Sequence, residues 1–174
     1  MGSKEFRELE VEMSDRGRGR LLVGAQFLLL GLIGFAPGHR FGESVRGSGW
    51  LIALSASLLF CSAIILAFSF AHLGPALTAN PVPKVDAPLQ TGGAYSYVRH
   101  PIYTSVLTFG FGVAIYRGTS ISLFAYLGLV LLLNFKARWE ERFLSAKHEG
   151  YSAYMNRVPR FFPHLRPRRN MNAR

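Results

Sequence analysis

Residues 50–73 read WLIALSASLLFCSAIILAFSFAHL and contain no Lys, Arg, Asp or Glu. About 20 consecutive apolar residues in a helix cross the hydrocarbon core of a bilayer, so this segment predicts a transmembrane helix. The composition of the 174-residue chain agrees, because 49% of it is hydrophobic and 17% is charged, whereas soluble domains carry about 25% charged residues. The content of 14 Phe, 7 Tyr and 2 Trp excludes a disordered chain.

Three further apolar runs cover residues 21–37, 102–116 and 119–135. Together the four runs predict an all-α fold, a polytopic membrane bundle of about four transmembrane helices, although buried helices of a soluble protein are an alternative. Only Arg117 and Gly118 separate the last two runs, which predicts a tight helical hairpin. Gly110, Ala114 and Gly118 recur every four residues and predict a face of close helix contact. Residues 134–148 predict a helix that continues into the cytoplasm.

The basic residues predict how the bundle is oriented in the membrane. With four spans, both termini and the loop of residues 74–101 share a side, and that side carries 17 of the 20 Lys and Arg residues. By the positive-inside rule, both termini and the loop of residues 74–101 face the cytoplasm of an integral membrane protein, in a bacterial inner membrane or its equivalent. A functional site that includes this loop would therefore face the cytoplasm too. The net charge of +10 therefore indicates contact with membrane lipids, and we expect no nucleic-acid partner.

The domain organisation predicted is simple. Residues 1–20 form a polar N-terminal segment, of which residues 1–12 are a possible leader because Met13 offers an alternative start. Residues 21–174 form a single membrane domain, with a ligand-binding half at about residues 90–165. The single Cys61 excludes an internal disulfide, and scattered His residues offer no metal-binding spacing, so no metal site is predicted.

Two polar clusters flank the predicted hairpin. Residues 93–103 read GAYSYVRHPIY at the entry of the third run, and residues 138–141 read RWEE beyond the exit of the fourth. The hairpin brings both clusters to one membrane face, where cations, aromatic rings and paired carboxylates suit a zwitterionic ligand such as an amino-acid moiety. Each cluster also has a plainer interpretation, as an interfacial anchor or as a solvated helix face with ion pairs.

The two clusters resemble the motifs of a known family. Residues 93–103 are similar to the signature G-x-Y-x-Y-x-R-H-P-x-Y of the isoprenylcysteine carboxyl methyltransferase family, which includes small bacterial phospholipid methyltransferase-like proteins. The RWEE segment, the YSAY of residues 151–154 and the RVPRFFP of residues 157–163 resemble the family's R-x-x-E-E…Y-x-x-Y…R-V-P-R-x-x-P ending. The resemblance covers about residues 90–165.

The resemblance implies an S-adenosylmethionine-dependent methyltransferase that acts on a lipophilic acceptor, either a prenylated substrate such as an isoprenylcysteine carboxylate or a lipid. It implies that Arg138 and Glu140 are catalytic. It implies that the cofactor is bound by Tyr97, Arg99, His100, Pro101, Tyr103, Glu140 and Glu141. From the positions of Trp139 and Phe143 we expect Glu140 to point inward and Glu141 to lie at the edge, near Lys136 or Arg138.

The sequence departs from the family pattern at two places. Ser105 stands where many family members have Gly. The segment of residues 146–151 is about one residue shorter than the family pattern, which changes the expected orientation of the Tyr151 and Tyr154 side chains. Two other functions stay open. One is a nicotinamide-dependent membrane reductase of related topology, and the other is a small four-helix transporter or a non-catalytic scaffold. A proton-coupled transporter would need an acidic residue within a span, and the four runs contain none.

Overall fold

The computed structural model describes residues 3–38, 48–73 and 89–163, with side chains from residue 17 onward. These residues form five α-helices and one short 3-10 helix. In chain order the elements are α1 (Ser3–Phe35), α2 (Gly49–Leu73), the 3-10 helix (Gly93–Ser96), α3 (Pro101–Arg117), α4 (Ser120–Lys147) and α5 (Tyr151–Arg157). The predicted all-α membrane bundle is confirmed. Most of the predicted loop of residues 74–101, the first loop and the basic tail lie outside the described residues.

Within the described part of the chain, three helices are long and apolar enough to cross a membrane. They are Gly17–Phe35, Gly49–Leu73 and Ser120–Lys147. Helix α3, which arises from the third predicted span, has only 17 residues and is therefore about 26 Å long, somewhat less than the ~30 Å hydrocarbon core. Helix α3 packs against α1, α2 and α4, so it is the central helix of the bundle and needs less lipid-facing length than its neighbours.

Small residues allow α3 to approach its neighbours closely. Of the predicted small-residue face, Gly110 lies against Leu129 of α4 and Ile33 of α1, whereas the atom nearest an added Cβ at Gly118 belongs to α3 itself. Gly112 lies on a different side of α3, where an added Cβ atom would be 3.3 Å from the Ser55 carbonyl oxygen of α2. Helix α3 therefore uses one glycine at each of two interfaces: Gly110 makes room for side chains of α1 and α4, and Gly112 allows close approach of the α2 backbone.

The predicted hairpin between α3 and α4 is present and is closed by specific caps. Gly118 ends α3 in the left-handed conformation, with φ 58°, which glycine adopts without strain. Thr119 caps α4 by accepting a hydrogen bond from the Ser122 amide at 3.1 Å. The Ser122 hydroxyl donates to the Ile33 carbonyl oxygen at 2.9 Å, which fixes the end of α1 beside this turn.

The opposite end of the bundle gathers several segments that are distant in sequence. Gly93 has a φ of +57° and lies so close to the His72 ring at the end of α2 that any side chain would collide with it. Two backbone hydrogen bonds, from Arg99 to Pro159 (2.8 Å) and from His100 to Arg160 (3.1 Å), join the start of α3 to the chain after α5. The polar clusters therefore meet at one end, as predicted.

The polar segments next to the first and fourth spans continue the helices of those spans. The helix expected over residues 134–148 is not a separate element, because α4 runs without interruption from Ser120 to Lys147. The polar segment of residues 1–20 likewise joins the first span in the single helix α1. In both cases the change in hydropathy marks where the polarity of the surroundings changes. The helix continues across that point because no proline ends it there.

Candidate functional site

The segment that leads into α3 is held by backbone hydrogen bonds and carries two polar side chains. His100 is the N-cap residue of α3, and Pro101 occupies the first helical turn, where its missing N–H group costs nothing. The residue before a proline is disfavoured in the helical region, and His100 is non-helical, with φ −125° and ψ 65°. The backbones of Arg99 and His100 are therefore free to pair with the 159–160 segment. Thr104 reinforces this junction, since its hydroxyl lies 2.8 Å from the Phe161 carbonyl oxygen.

Glu141 is the centre of a buried charge network. Its Oε1 atom accepts hydrogen bonds from Arg99 Nε at 3.0 Å and from Arg160 Nε at 3.1 Å, and lies 3.2 Å from His100 Nε2. Its Oε2 atom lies 2.6 Å from Arg160 Nη2. The Glu141 side chain is only 8% exposed. Two guanidinium groups therefore compensate a carboxylate that is almost removed from solvent.

Arg99 is fully engaged in this network. Its Nε and Nη2 atoms contact Glu141, and Nη1 donates to the carbonyl oxygens of Met155 and Val158. These contacts join α3, α4 and the end of α5. Every Arg99 nitrogen therefore contacts the protein and its side chain is only 10% exposed, so Arg99 holds the surrounding segments in place.

Glu140 is the more accessible carboxylate of the pair. Its side chain is 25% exposed, and its Oε2 atom lies 3.5 Å from His100 Nδ1. The same oxygen accepts a hydrogen bond from the Tyr103 hydroxyl at 3.0 Å. Both contacts fall on Oε2, so the Oε1 atom is the side of the carboxylate that is available to a ligand.

The predicted edge position of Glu141 is therefore wrong. Trp139 and Phe143 pack against each other, with ring centroids 5.7 Å apart, and they do not mark the inward face of α4. That face consists of residues at four-residue spacing, all of them buried: Leu129, Leu133, Ala137 and Glu141. Because residues i and i+4 share a helix face, Glu141 follows this row into the protein.

The Tyr103 side chain lies between several charged groups. Its ring stacks in parallel with the His100 imidazole, with a centroid distance of 5.2 Å. The Lys136 ammonium lies 5.2 Å from the centroid of the same ring, which is cation–π distance. Tyr103 therefore connects His100, Lys136 and Glu140 across the interface of α3 and α4.

Two tyrosines of α5 support the site from outside the membrane-spanning helices. The Tyr154 hydroxyl donates a hydrogen bond of 2.6 Å to the Tyr95 carbonyl oxygen, and burial raises the pKa of Tyr154 to about 12. Burial likewise raises the pKa of Tyr151 above its usual range. Both hydroxyls therefore stay protonated at neutral pH, and Tyr154 anchors α5 to the 3-10 helix.

The structure brings together most, but not all, of the residues implied by the resemblance. Arg99, His100, Tyr103, Glu140 and Glu141 form one cluster. Pro101 shapes the start of α3. Tyr97 is 66% exposed and lies outside the described contacts of the cluster.

Arg138 is also exposed and has no described contact with the cluster. It precedes Glu140 by two positions and therefore points about 200° away from it around the helix. Sequence reasoning missed two further members of this region, Arg160 and Lys136. Arg160 stands in the RVPR segment that resembles the family's motif, and Lys136 lies one helical turn before Glu140. The motif in the first case and the helical spacing in the second could have placed each residue at the site.

Comparison with known proteins identifies the family of this chain. Residues 50–150 match the phospholipid methyltransferase family, and this segment is more than half of the chain. The chain belongs to that family. A segment of 79 residues is 37% identical to the cobalt-zinc-cadmium resistance protein CzcN of Cupriavidus metallidurans. That match covers 44% of this chain and only 36% of the length of the relative.

The family segment contains the two carboxylates and the start of α3, so the cluster lies largely within a methyltransferase-family domain of a membrane protein. Two contributors come from outside it. Arg160 follows the matched segment and contacts Glu141, whereas Gln26 precedes it and accepts a hydrogen bond from Lys136. The flanking parts of the chain therefore complete the polar network.

Proposed function

We propose that this protein is a membrane methyltransferase that uses S-adenosylmethionine and methylates a lipophilic acceptor from the cytoplasmic side. Membership of the phospholipid methyltransferase family supports methyl transfer, and the three candidate spans support an acceptor that is taken from the membrane. The observation that carries the proposal is the Glu140 carboxylate. It is partly exposed, fixed by Tyr103 and His100, and has one oxygen available.

The described residues fit the amino-acid end of this cofactor. A ligand ammonium needs an anionic acceptor, and Glu140 Oε1 can provide it while Oε2 keeps its hydrogen bond from Tyr103 and its 3.5 Å contact with His100. A ligand carboxylate needs a cationic donor. Arg160 is the more accessible guanidinium, with a side chain 26% exposed against 10% for Arg99. The Arg160 nitrogens also contact Glu141 and Asn134, so a ligand carboxylate would use the second N–H group of Nη1 or Nη2. Because its side chain is more exposed, we assign Arg160 rather than Arg99 to that role.

When bound, S-adenosylmethionine supplies an electrophilic methyl group on a positively charged sulfur. The protein residues position it and exclude water, which are the main sources of catalysis when the acceptor is already anionic. A carboxylate acceptor of the isoprenylcysteine type needs no general base. An amine acceptor of a lipid releases a proton, and Glu140 is the carboxylate placed to accept it.

The cofactor assignment is tested with purified protein in detergent and isothermal titration calorimetry. We expect the wild type to bind S-adenosylmethionine, and Glu140→Gln to bind about 10- to 100-fold more weakly, because a charge-assisted hydrogen bond contributes about 1.5–3 kcal/mol. Glu149→Gln is the matched control, since Glu149 is exposed and has no described contact with the cluster. Absence of binding by the wild type, or equal binding by Glu140→Gln, contradicts the proposal.

The acceptor is tested with methyl-labelled S-adenosylmethionine and membranes that contain the wild type, Glu140→Gln or no added protein. The expected result is a labelled product that extracts into organic solvent and forms only with the wild type. Alkaline hydrolysis then distinguishes the two acceptor classes, because a methyl ester releases its label as methanol and a methylated amine retains it. Label found only in water-soluble products contradicts a lipophilic acceptor.

A further inference from the structure

Lys136 is a buried cation whose purpose the proposed reaction does not explain. It lies on α4 inside the bundle and is 2% exposed. An ammonium group is costly to bury unless other groups compensate its charge. An apolar residue would fill the same space without this cost, so the role of Lys136 must come from what its ammonium group contacts.

Two described contacts surround the Lys136 ammonium. Its Nζ atom donates a hydrogen bond to Gln26 Oε1 of α1 at 3.0 Å and lies 5.2 Å from the centroid of the Tyr103 ring. Among the described residues, no carboxylate lies within ion-pair distance of Nζ, and the ion pairs of this region involve Arg99, His100 and Arg160. The charge of Lys136 is therefore compensated by an amide, by an aromatic ring and, from beyond ion-pair distance, by the Glu140 carboxylate one helical turn away.

These contacts lead directly to the ligand-binding carboxylate. The Tyr103 ring that faces Lys136 carries the hydroxyl that donates to Glu140 Oε2. Lys136 and Glu140 are also one helical turn apart on α4, so they lie on the same side of the helix. Any movement of the Tyr103 ring away from the ammonium would carry its hydroxyl away from Glu140.

We infer that Lys136 is a positioning residue: it holds the Tyr103 ring, and through its hydroxyl the Glu140 carboxylate, in the orientation that receives the cofactor ammonium. This inference rests on the proposed function. Two simpler roles make different predictions. If Lys136 acted only through its charge, removing a cation near the site would strengthen binding of a positively charged ligand. If it acted only as a link to α1, loss of Gln26 would have the same effect as loss of Lys136.

The test compares Lys136→Met, Lys136→Arg and Gln26→Leu in purified protein in detergent. The dissociation constant of S-adenosylmethionine is measured by calorimetry, and the melting temperature of the ligand-free protein is measured separately. We expect Lys136→Met to weaken binding about tenfold or more, the loss of one charge-assisted contact. The melting temperature shows separately what the unpaired Gln26 Oε1 atom costs in folding free energy. Lys136→Arg retains a cation over the ring and should bind more tightly than Lys136→Met.

The outcomes separate this inference from the proposed function. Wild-type binding together with equal or tighter binding by Lys136→Met overturns the positioning role alone. A Gln26→Leu variant as impaired as Lys136→Met also overturns it, in favour of the link to α1. If Lys136→Met does not fold, Lys136→Gln takes its place, and equal binding by the Gln and Arg variants overturns the inference. A wild type that does not bind S-adenosylmethionine overturns the proposed function and this inference with it.

Discussion

Glu140 and Glu141 are adjacent in sequence and have different environments. Glu141 contacts Arg99, His100 and Arg160 and is 8% exposed, whereas Glu140 keeps one oxygen available to a ligand. Successive residues on a helix point about 100° apart, so two neighbouring carboxylates naturally divide between an inward and an outward position. The inward one joins three separate segments of the chain, and the outward one is the candidate ligand-binding group.

We predict that Glu141→Gln destabilises the protein much more than Glu140→Gln does. The substitution leaves the Arg99 and Arg160 guanidinium groups without their buried counter-charge, and breaking a buried ion pair costs about 3–5 kcal/mol. Thermal unfolding in detergent measures the effect, with Glu149→Gln as the control for the same chemical change at an exposed position. A melting temperature equal to that of the control would show that the Glu141 network does not stabilise the fold.

At this scale the sequence predicts which residues meet better than how each is oriented. The family motifs identify Arg99, His100, Tyr103 and both glutamates, because those motifs are contiguous and lie at helix ends. Orientation fails at Arg138 and Glu141, since the inward face of α4 is fixed by Leu129 and Leu133 far from the motif. No local pattern around Trp139 reveals which face of α4 points inward, because that depends on how α4 packs against α1 and α3.

At the scale of helices, the interface of α2 and α3 is built from small residues. Helix α2 buries Ser55, Ser62 and Ser69 at seven-residue spacing. From α3, Gly112 approaches this row so closely that an added Cβ atom would be 3.1 Å from Leu58 Cβ and 3.3 Å from the Ser55 carbonyl oxygen. Close backbone approach replaces large apolar side chains as the source of packing energy between these helices.

We predict that Gly112→Val lowers the melting temperature and that Gly24→Val does not lower it comparably. Both glycines are in helices, so the change in helix propensity is the same. The space differs, because nothing lies within 4 Å of a Cβ atom at Gly24. Overpacking against the α2 backbone should cost about 1–3 kcal/mol. Thermal unfolding of the two variants side by side measures it, and equal melting temperatures would contradict close packing of α2 against α3.

The sequence predicts the helices themselves well and their lengths less well. Hydropathy locates the cores of all four long helices, because each apolar run must be helical to satisfy its backbone in a membrane. It does not locate the ends of α1 and α4, which continue through polar residues such as Arg18 and Glu140. Hydropathy reports the solvent around a residue, whereas helix continuation depends on backbone hydrogen bonds and the absence of proline.

At the scale of the whole molecule, the topology concentrates polar chemistry at one end of an apolar bundle. The segment before α3, the second half of α4 and the residues after α5 all meet there. Among the described residues, the other end contains the tight turn from α3 to α4, the end of α1 and the start of α2. The first of these ends is also the one predicted to be cytoplasmic from its Lys and Arg content, so the proposed site would face the compartment that holds soluble cofactors.

The orientation is tested by single-cysteine labelling in a Cys61→Ser background, which removes the only native cysteine. Thr91→Cys and Ser152→Cys place exposed thiols at the polar end, and Gly49→Cys places one at the opposite end, where α2 begins. In intact cells, a membrane-impermeant maleimide should label Gly49→Cys and should label the other two only after permeabilisation, because the basic end is retained in the cytoplasm. The reverse labelling pattern would show that the protein has the opposite orientation in the membrane, which contradicts cofactor entry from the cytoplasm. Labelling of Thr91→Cys and Ser152→Cys from opposite sides would contradict the shared end of the bundle on which the whole site depends.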